Sequence, residues 1–140
     1  MKVKKSFLLL TTILLSVFLM TNCDTSEGDT SLLVGTWILT SITETHHGQI
    51  ETIDPEAWGI EETVTFSADG TYARNFIYGD KTDSYTGTWS TSGNNLTVNH
   101  QDGYSWTAPY NISGNKLTIT MTDNDPETGT TTTTQEYTKR

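Results

Sequence analysis

An all-β fold, an eight-stranded antiparallel up-and-down barrel, follows from three features of the sequence. β-Branched and aromatic residues recur at every second position over most of the chain after residue 32, the spacing of strands with one buried face. Turns rich in Gly, Asn and Asp punctuate these runs at short intervals. Helical spacing of apolar residues is almost absent. Short links favour pairing of successive strands. Eight strands in a row leave two bare edges, and closing the sheet removes both. Two packed sheets would show the same alternation. The strands alone therefore leave barrel and sandwich open, and the short sequential turns favour the barrel.

The first strand is expected over 36–43 (TWILTSIT), entered through Leu32, Leu33, Val34 and Gly35. A long connection, 44–60, follows and carries His46, His47, Pro55 and Trp58. Strands two and three, 61–67 (EETVTFS) and 71–78 (TYARNFIY), flank the tight turn Ala68-Asp69-Gly70. Gly79-Asp80-Lys81 turns the chain into 84–91 (SYTGTWST), and Ser92-Gly93-Asn94 turns it into 95–101 (NLTVNHQ). The last three strands are 104–112 (YSWTAPYNI), 116–122 (KLTITMT) and 129–138 (GTTTTTQEYT). Pro109 predicts a bulge or an edge-like spot in the sixth. The alternation turns Trp37, Leu39, Val64, Phe66, Tyr72, Phe76, Tyr78, Tyr85, Gly87, Trp89, Leu96, Val98, Tyr104, Trp106, Ala108, Leu117, Ile119, Met121 and Tyr137 to one face and mostly Thr to the other.

Ahead of this domain, Lys2, Lys4 and Lys5 precede an apolar run from Phe7 to Met20. That is the layout of a secretory signal peptide, and the run is short for a bilayer span. Residues 1–22 read as the signal, 23–31 as a polar tether and 32–140 as the barrel. Cys23 is the sole cysteine, so no disulfide can form within the chain. Its setting, Leu19-Met20-Thr21-Asn22-Cys23, resembles a loose form of the lipid-attachment box of bacterial lipoproteins. That resemblance implies an acylated Cys23, a membrane anchor and a place in the bacterial cell envelope, at the outer membrane. Each buried methylene of such a lipid is worth roughly 0.8 kcal/mol.

The whole sequence has Lys+Arg 8 against Asp+Glu 17. Loss of residues 1–22 removes three lysines and no acids, leaving five bases against the same 17 acids, a formal −12. Such a chain repels phosphate backbones, so nucleic acid is not an expected partner.

Leu33-Val34-Gly35-Thr36-Trp37 resembles the opening of the bacterial lipocalin-like domain family, with its Gly-x-Trp first strand. Phe66-Ser67-Ala68-Asp69-Gly70-Thr71-Tyr72, Gly87-Thr88-Trp89, Asn115-Lys116-Leu117-Thr118 and the closing Tyr137 extend the similarity over roughly residues 32–140. The resemblance implies an eight-stranded barrel able to hold an apolar ligand. It also implies a tryptophan at the closed end packed against a base from the last strand, for which Lys139 and Arg140 are the candidates. Gly35, Trp37 and Gly87 are then first of all structural.

Catalytic signals are weak. No GxSxG surrounds a serine, no glycine-rich phosphate loop exists, and Glu61 and Glu62 face opposite ways on a strand. The three histidines do not make a zinc site with a cysteine already assigned to the signal boundary. Neither an enzyme nor a cofactor or metal is expected. Arg74 shares the parity of Tyr72 and Phe76, and an inward arginine needs an anionic partner. That partner is an internal carboxylate or a ligand's. The expected ligand is a small hydrophobic or amphipathic molecule, walled by Phe76, Trp89, Tyr104 and Trp106 and anchored by Arg74. The alternative is a non-enzymatic structural or interaction module whose barrel is filled by its own side chains.

Overall fold

The computed structural model describes residues 30–140. The expected signal peptide, Cys23 and most of the expected tether lie outside the described residues. One helical turn, α1 (Thr30–Leu33), leads into β1 (Gly35–His46), β2 (Gln49–Ile53), a 3₁₀ turn at Glu56–Trp58, β3 (Ile60–Phe66), β4 (Thr71–Tyr78), β5 (Lys81–Ser92), β6 (Asn95–His100), β7 (Ser105–Ser113), β8 (Lys116–Asp125) and β9 (Gly129–Lys139). The sheet runs β2-β1-β3-β4-β5-β6-β7-β8-β9, all pairs antiparallel, and β1 also pairs with β9. The result is a closed barrel of eight strands with β2 as a ninth, extra strand.

β2 departs from the sequence expectation, which left 44–60 as a connection. Its cause is local. His47 and Gly48 both adopt positive φ, 50° and 76°, which makes them a two-residue turn of the type whose twist matches paired strands. The hairpin then runs from His46↔Gln49 to Ile42↔Ile53. β1 is consequently shared. Its first part, Gly35–Ile38, pairs with β3, and its second, Ile42–His46, pairs with β2. A bulge at Thr40 lies between them on the β9 side. Thr30 and Ser31, read from sequence as tether, belong to α1 instead.

The cross-strand register gives one continuous inner face. Trp37↔Val64↔Arg74↔Tyr85 and Phe66↔Tyr72↔Gly87↔His100 cross the front, while Ile42↔Gln135↔Ile119↔Tyr110 and Leu39↔Tyr137↔Leu117↔Ile112 cross the back. Trp37, Leu33, Leu96, Val98 and Leu117 are fully buried at the centre of the core.

The closed end is sealed by α1 and the two chain-terminal strands. Trp37 Nε1–H donates to Leu33 O at 2.8 Å. Lys139 Nζ sits 5.0 Å from the Trp37 ring centroid and donates to Leu32 O at 2.9 Å. Lys139 is thus the base that meets the tryptophan, and a cation over an indole face is an attractive contact. Gly35 makes room for it. A Cβ there would lie 2.7 Å from Lys139 Cε, and the residue has φ 141°.

The other end is less tightly walled. β7 pairs with β6 through Ser105–Pro109 but with β8 only from Tyr110 onward. Tyr110 N–H bonds Asn94 O on the β6 side at 2.8 Å. By strand alternation Pro109 faces β8, where it has no N–H to give. Pairing stops there, and Thr120–Asp125 of β8 keep β9 as their only partner among the described residues.

Gly87 carries a separate packing constraint. An added Cβ would stand 2.0 Å from Asn99 O and 3.0 Å from His100 Cα, both backbone atoms of β6. Gly87→Ala should therefore lower stability by about 1–3 kcal/mol, the overpacking range, read as a reduced denaturation midpoint in urea. An unchanged midpoint would show that β5 and β6 do not approach this closely.

Candidate functional site

The open half of the barrel encloses a cavity of about 500 Å³, within the usual range for small-molecule sites. β3 supplies Glu62, Val64 and Phe66, β4 supplies Tyr72 and Arg74, and β5 supplies Tyr85. His100, Asp102, Tyr104 and Trp106 come from the β6–β7 hairpin, and Ile119, Met121, Gln135 and Tyr137 from β8 and β9. This half of the barrel is not filled by its own side chains, the alternative that the aromatic content had offered.

A polar network crosses the floor of this space. Arg74 Nη2 donates to Glu62 Oε2 at 2.7 Å. Tyr137 O–H donates to the other oxygen, Oε1, also at 2.7 Å. The phenol has one proton, and this contact takes it. Gln135 lies 3.2 Å from the same hydroxyl. Glu62 is 3% exposed, so both of its oxygens are satisfied by protein and not by water. The guanidinium carbon lies over two rings, 5.1 Å from the Phe76 centroid and 5.7 Å from that of Tyr85. Its remaining N–H groups meet no acceptor among the described residues.

The ionisations follow from this packing. Burial first, and the Glu62 carboxylate second, hold the Tyr137 hydroxyl well above its ordinary pKa, so it remains a donor. Burial pushes Tyr72 up as well. For Arg74, burial opposes the charged form, but the hydrogen bond and charge of Glu62 outweigh it and raise its pKa.

His100 stands in an aromatic box. Tyr72 and Tyr85 meet it edge-on, with centroids 5.6 and 5.5 Å away, and Tyr104 is tilted at 5.6 Å. Trp106 Nε1–H donates to His100 Nε2 at 3.3 Å. His100 Nδ1 is buried and has no hydrogen-bond partner among the described residues.

The sequence-derived site residues divide by position. Arg74, Tyr104 and Trp106 line the cavity. Phe76 is on the same face but supports the Arg74 guanidinium and is not in the lining. Trp89 belongs to the closed end, where its Nε1–H donates to Ser67 O at 3.0 Å and its ring meets Phe66 edge-on at 5.5 Å. Parity placed Trp89 on the correct face but not at the correct height along the barrel. Glu62, Gln135 and His100 were not among the expected site residues. Glu62 and His100 had a signal, since they share the parity of Val64 and of Leu96 and Val98. Among the described residues no group of three or more His, Cys, Asp or Glu is placed to hold a metal ion.

Arg74→Leu should cost about 2–4 kcal/mol. That is below the full figure for breaking a buried pair, because Arg74 keeps 29% exposure. Replacing Arg74 and Glu62 together by leucine should cost less than the Arg74 change alone. Equal or greater loss in the double variant, measured by urea denaturation, would show that the pair is not the source of the effect.

Comparison with known proteins agrees with this architecture. A family model described as Lipocalin-like domain matches residues 33–119, more than half of the chain. Two solved structures are similar in fold. One is an uncharacterized protein from Bacteroides eggerthii, 12% identical, with a TM-score of 0.52 over 77% of this chain and 99% of that one. The other is a lipocalin-like protein from Bacteroides uniformis, 16% identical, with a TM-score of 0.53 over 78% and 99%. No curated protein matches the chain. With the family match spanning β1 to β8 and the barrel closed by β9, the chain belongs to the lipocalin-like domain family.

Proposed function

We propose that the protein is a non-enzymatic carrier or sensor, tethered to a membrane of the bacterial cell envelope through lipid on Cys23, that holds a small apolar or amphipathic molecule in its barrel. The observation that supports this most is the cavity of about 500 Å³ itself, open at one end and walled by aromatic rings. A buried aromatic wall supplies affinity through apolar area. Arg74, with N–H groups unspent on protein acceptors, supplies orientation. Tyr104 and Trp106 form wall at the mouth, and Phe76 acts through Arg74. The polybasic start of the chain and the position of Cys23 support secretion and an outer-membrane anchor.

A second reading is an interaction module of the envelope. It is supported by apolar residues left in water, with Ile50 72%, Trp58 60% and Tyr104 64% exposed.

Native mass spectrometry of the protein purified from its own envelope distinguishes the two. The carrier reading expects a co-purified small molecule that leaves on mild activation. Protein that is bare in every preparation, and that takes up no apolar probe, contradicts it. The anchor is tested separately. Cys23→Ala should move the protein from the membrane fraction to the soluble one, and retention at the membrane would remove the lipid tether.

A further inference from the structure

We infer that the cavity selects an uncharged molecule carrying a hydrogen-bond acceptor oxygen, of the ketone, ester or amide class, and rejects anions such as fatty acids. This inference rests on the cavity being a ligand site, and it names the class of ligand.

The floor of the cavity holds an arginine whose charge is already spent. Arg74 and Glu62 meet at 2.7 Å, and Glu62 cannot retreat, being 3% exposed with its second oxygen held by Tyr137. A ligand carboxylate at Arg74 would come to rest beside this fixed, unhydrated carboxylate. Like charges at such distance in a low-dielectric site repel strongly. An uncharged oxygen meets no such penalty, yet can still accept from the N–H groups that Arg74 leaves unused.

The mouth points the same way. Register places Glu44, Glu51, Asp83, Asp123 and Asp125 on the inward parity at the open end, and Asp102 lines the cavity. Among the described residues Lys81, opposite Tyr78, is the one lysine or arginine at that rim. An anion must therefore cross a negative rim to reach a neutralised floor. The walls between are aromatic, and they offer ring faces with no charge of their own.

Three fluorescent naphthalenes test this with the full-chain protein. Anilinonaphthalene sulfonate is an anion, phenylnaphthylamine is the same skeleton without the sulfonate, and a propionyl-dimethylaminonaphthalene is an uncharged ketone. The ketone should bind at least about tenfold tighter than the sulfonate, with the emission of a hydrogen-bonded carbonyl. Glu62→Gln keeps its one acceptor oxygen for Arg74, sets its amide NH2 against the Tyr137 oxygen, whose proton can turn to Gln135 3.2 Å away, and frees the arginine's charge. It should tighten the sulfonate about tenfold relative to phenylnaphthylamine measured on the same variant. The inference falls if the sulfonate binds the unaltered protein as tightly as its uncharged parent, or if Glu62→Gln leaves sulfonate binding unchanged. A parallel rise for both dyes also counts against it, since loosened packing would then explain the gain. If none of the three binds, the ligand site itself falls, a result distinct from binding with the wrong preference.

Discussion

The seam between β1 and β9 is the constraint on which the rest of the structure depends. Apart from β1–β3, between which β2 intervenes, every other pairing in the barrel joins neighbours in sequence, several through two-residue turns such as Gly79-Asp80 and Gly93-Asn94. The seam instead joins Trp37 to Lys139 and His46 to Thr131, almost the whole length of the domain. Closing so long a loop is entropically costly, and that cost must be met by what forms at the junction. What forms is a set of mutually supporting contacts. Lys139 covers the Trp37 ring and caps Leu32 O, Arg140 N–H bonds Thr36 O at 2.9 Å, and Gly35 clears the path. The interior polar network also spans this seam. Glu62 on β3 and Tyr137 on β9 lie on either side of β1 and bond beneath it. An open sheet would separate them, expose Trp37 and leave two bare edges.

Closure alone would permit a filled core, and the lower half of the barrel is one. The upper half stays hollow for two physical reasons. First, the inward positions at mid-height hold Glu62, Arg74, Gln135 and Tyr137, of which Glu62, Arg74 and Tyr137 are tied together by hydrogen bonds and cannot collapse onto one another as aliphatic chains would. Second, the wall does not draw tight above them. Pro109 ends the β7–β8 ladder, and Trp106 and Met121, which line the cavity from those two strands, lie above that point. The same arrangement gives the cavity its character: apolar walls, a charge-balanced floor and an acidic rim.

Much of this was legible in the chain. Period-two alternation gave the inner face of most strands, because one-sided burial writes itself directly into residue type, but in β1 the bulge at Thr40 shifts the phase and turns Ile42 inward in place of Ser41. The lost information was of three kinds. β2 was missed because His47 is an uncommon residue at positive φ, so His-Gly did not read as a hairpin turn as Asn-Gly would. The partner of Arg74 was missed because Glu62, though it shares the parity of Val64 and Phe66, reads by type as a solvated carboxylate. Only the β3–β4 register brings it to the arginine. Height along the barrel was not legible at all. Trp89 and Tyr85 share strand and face, yet one plugs the closed end and the other walls the cavity. Stagger between strands decides that, and parity carries no record of stagger.

Hydrogen exchange along the seam tests the closed barrel most directly. Amides of β1 and β9 that bond across it, from Trp37 to His46 and from Thr131 to Lys139, should be protected as strongly as those of the central β4–β5 hairpin and should open together with it. Exchange at the seam on the timescale of the exposed turns, while β4 and β5 stay protected, would describe an open sheet with neither a sealed end nor an enclosed cavity.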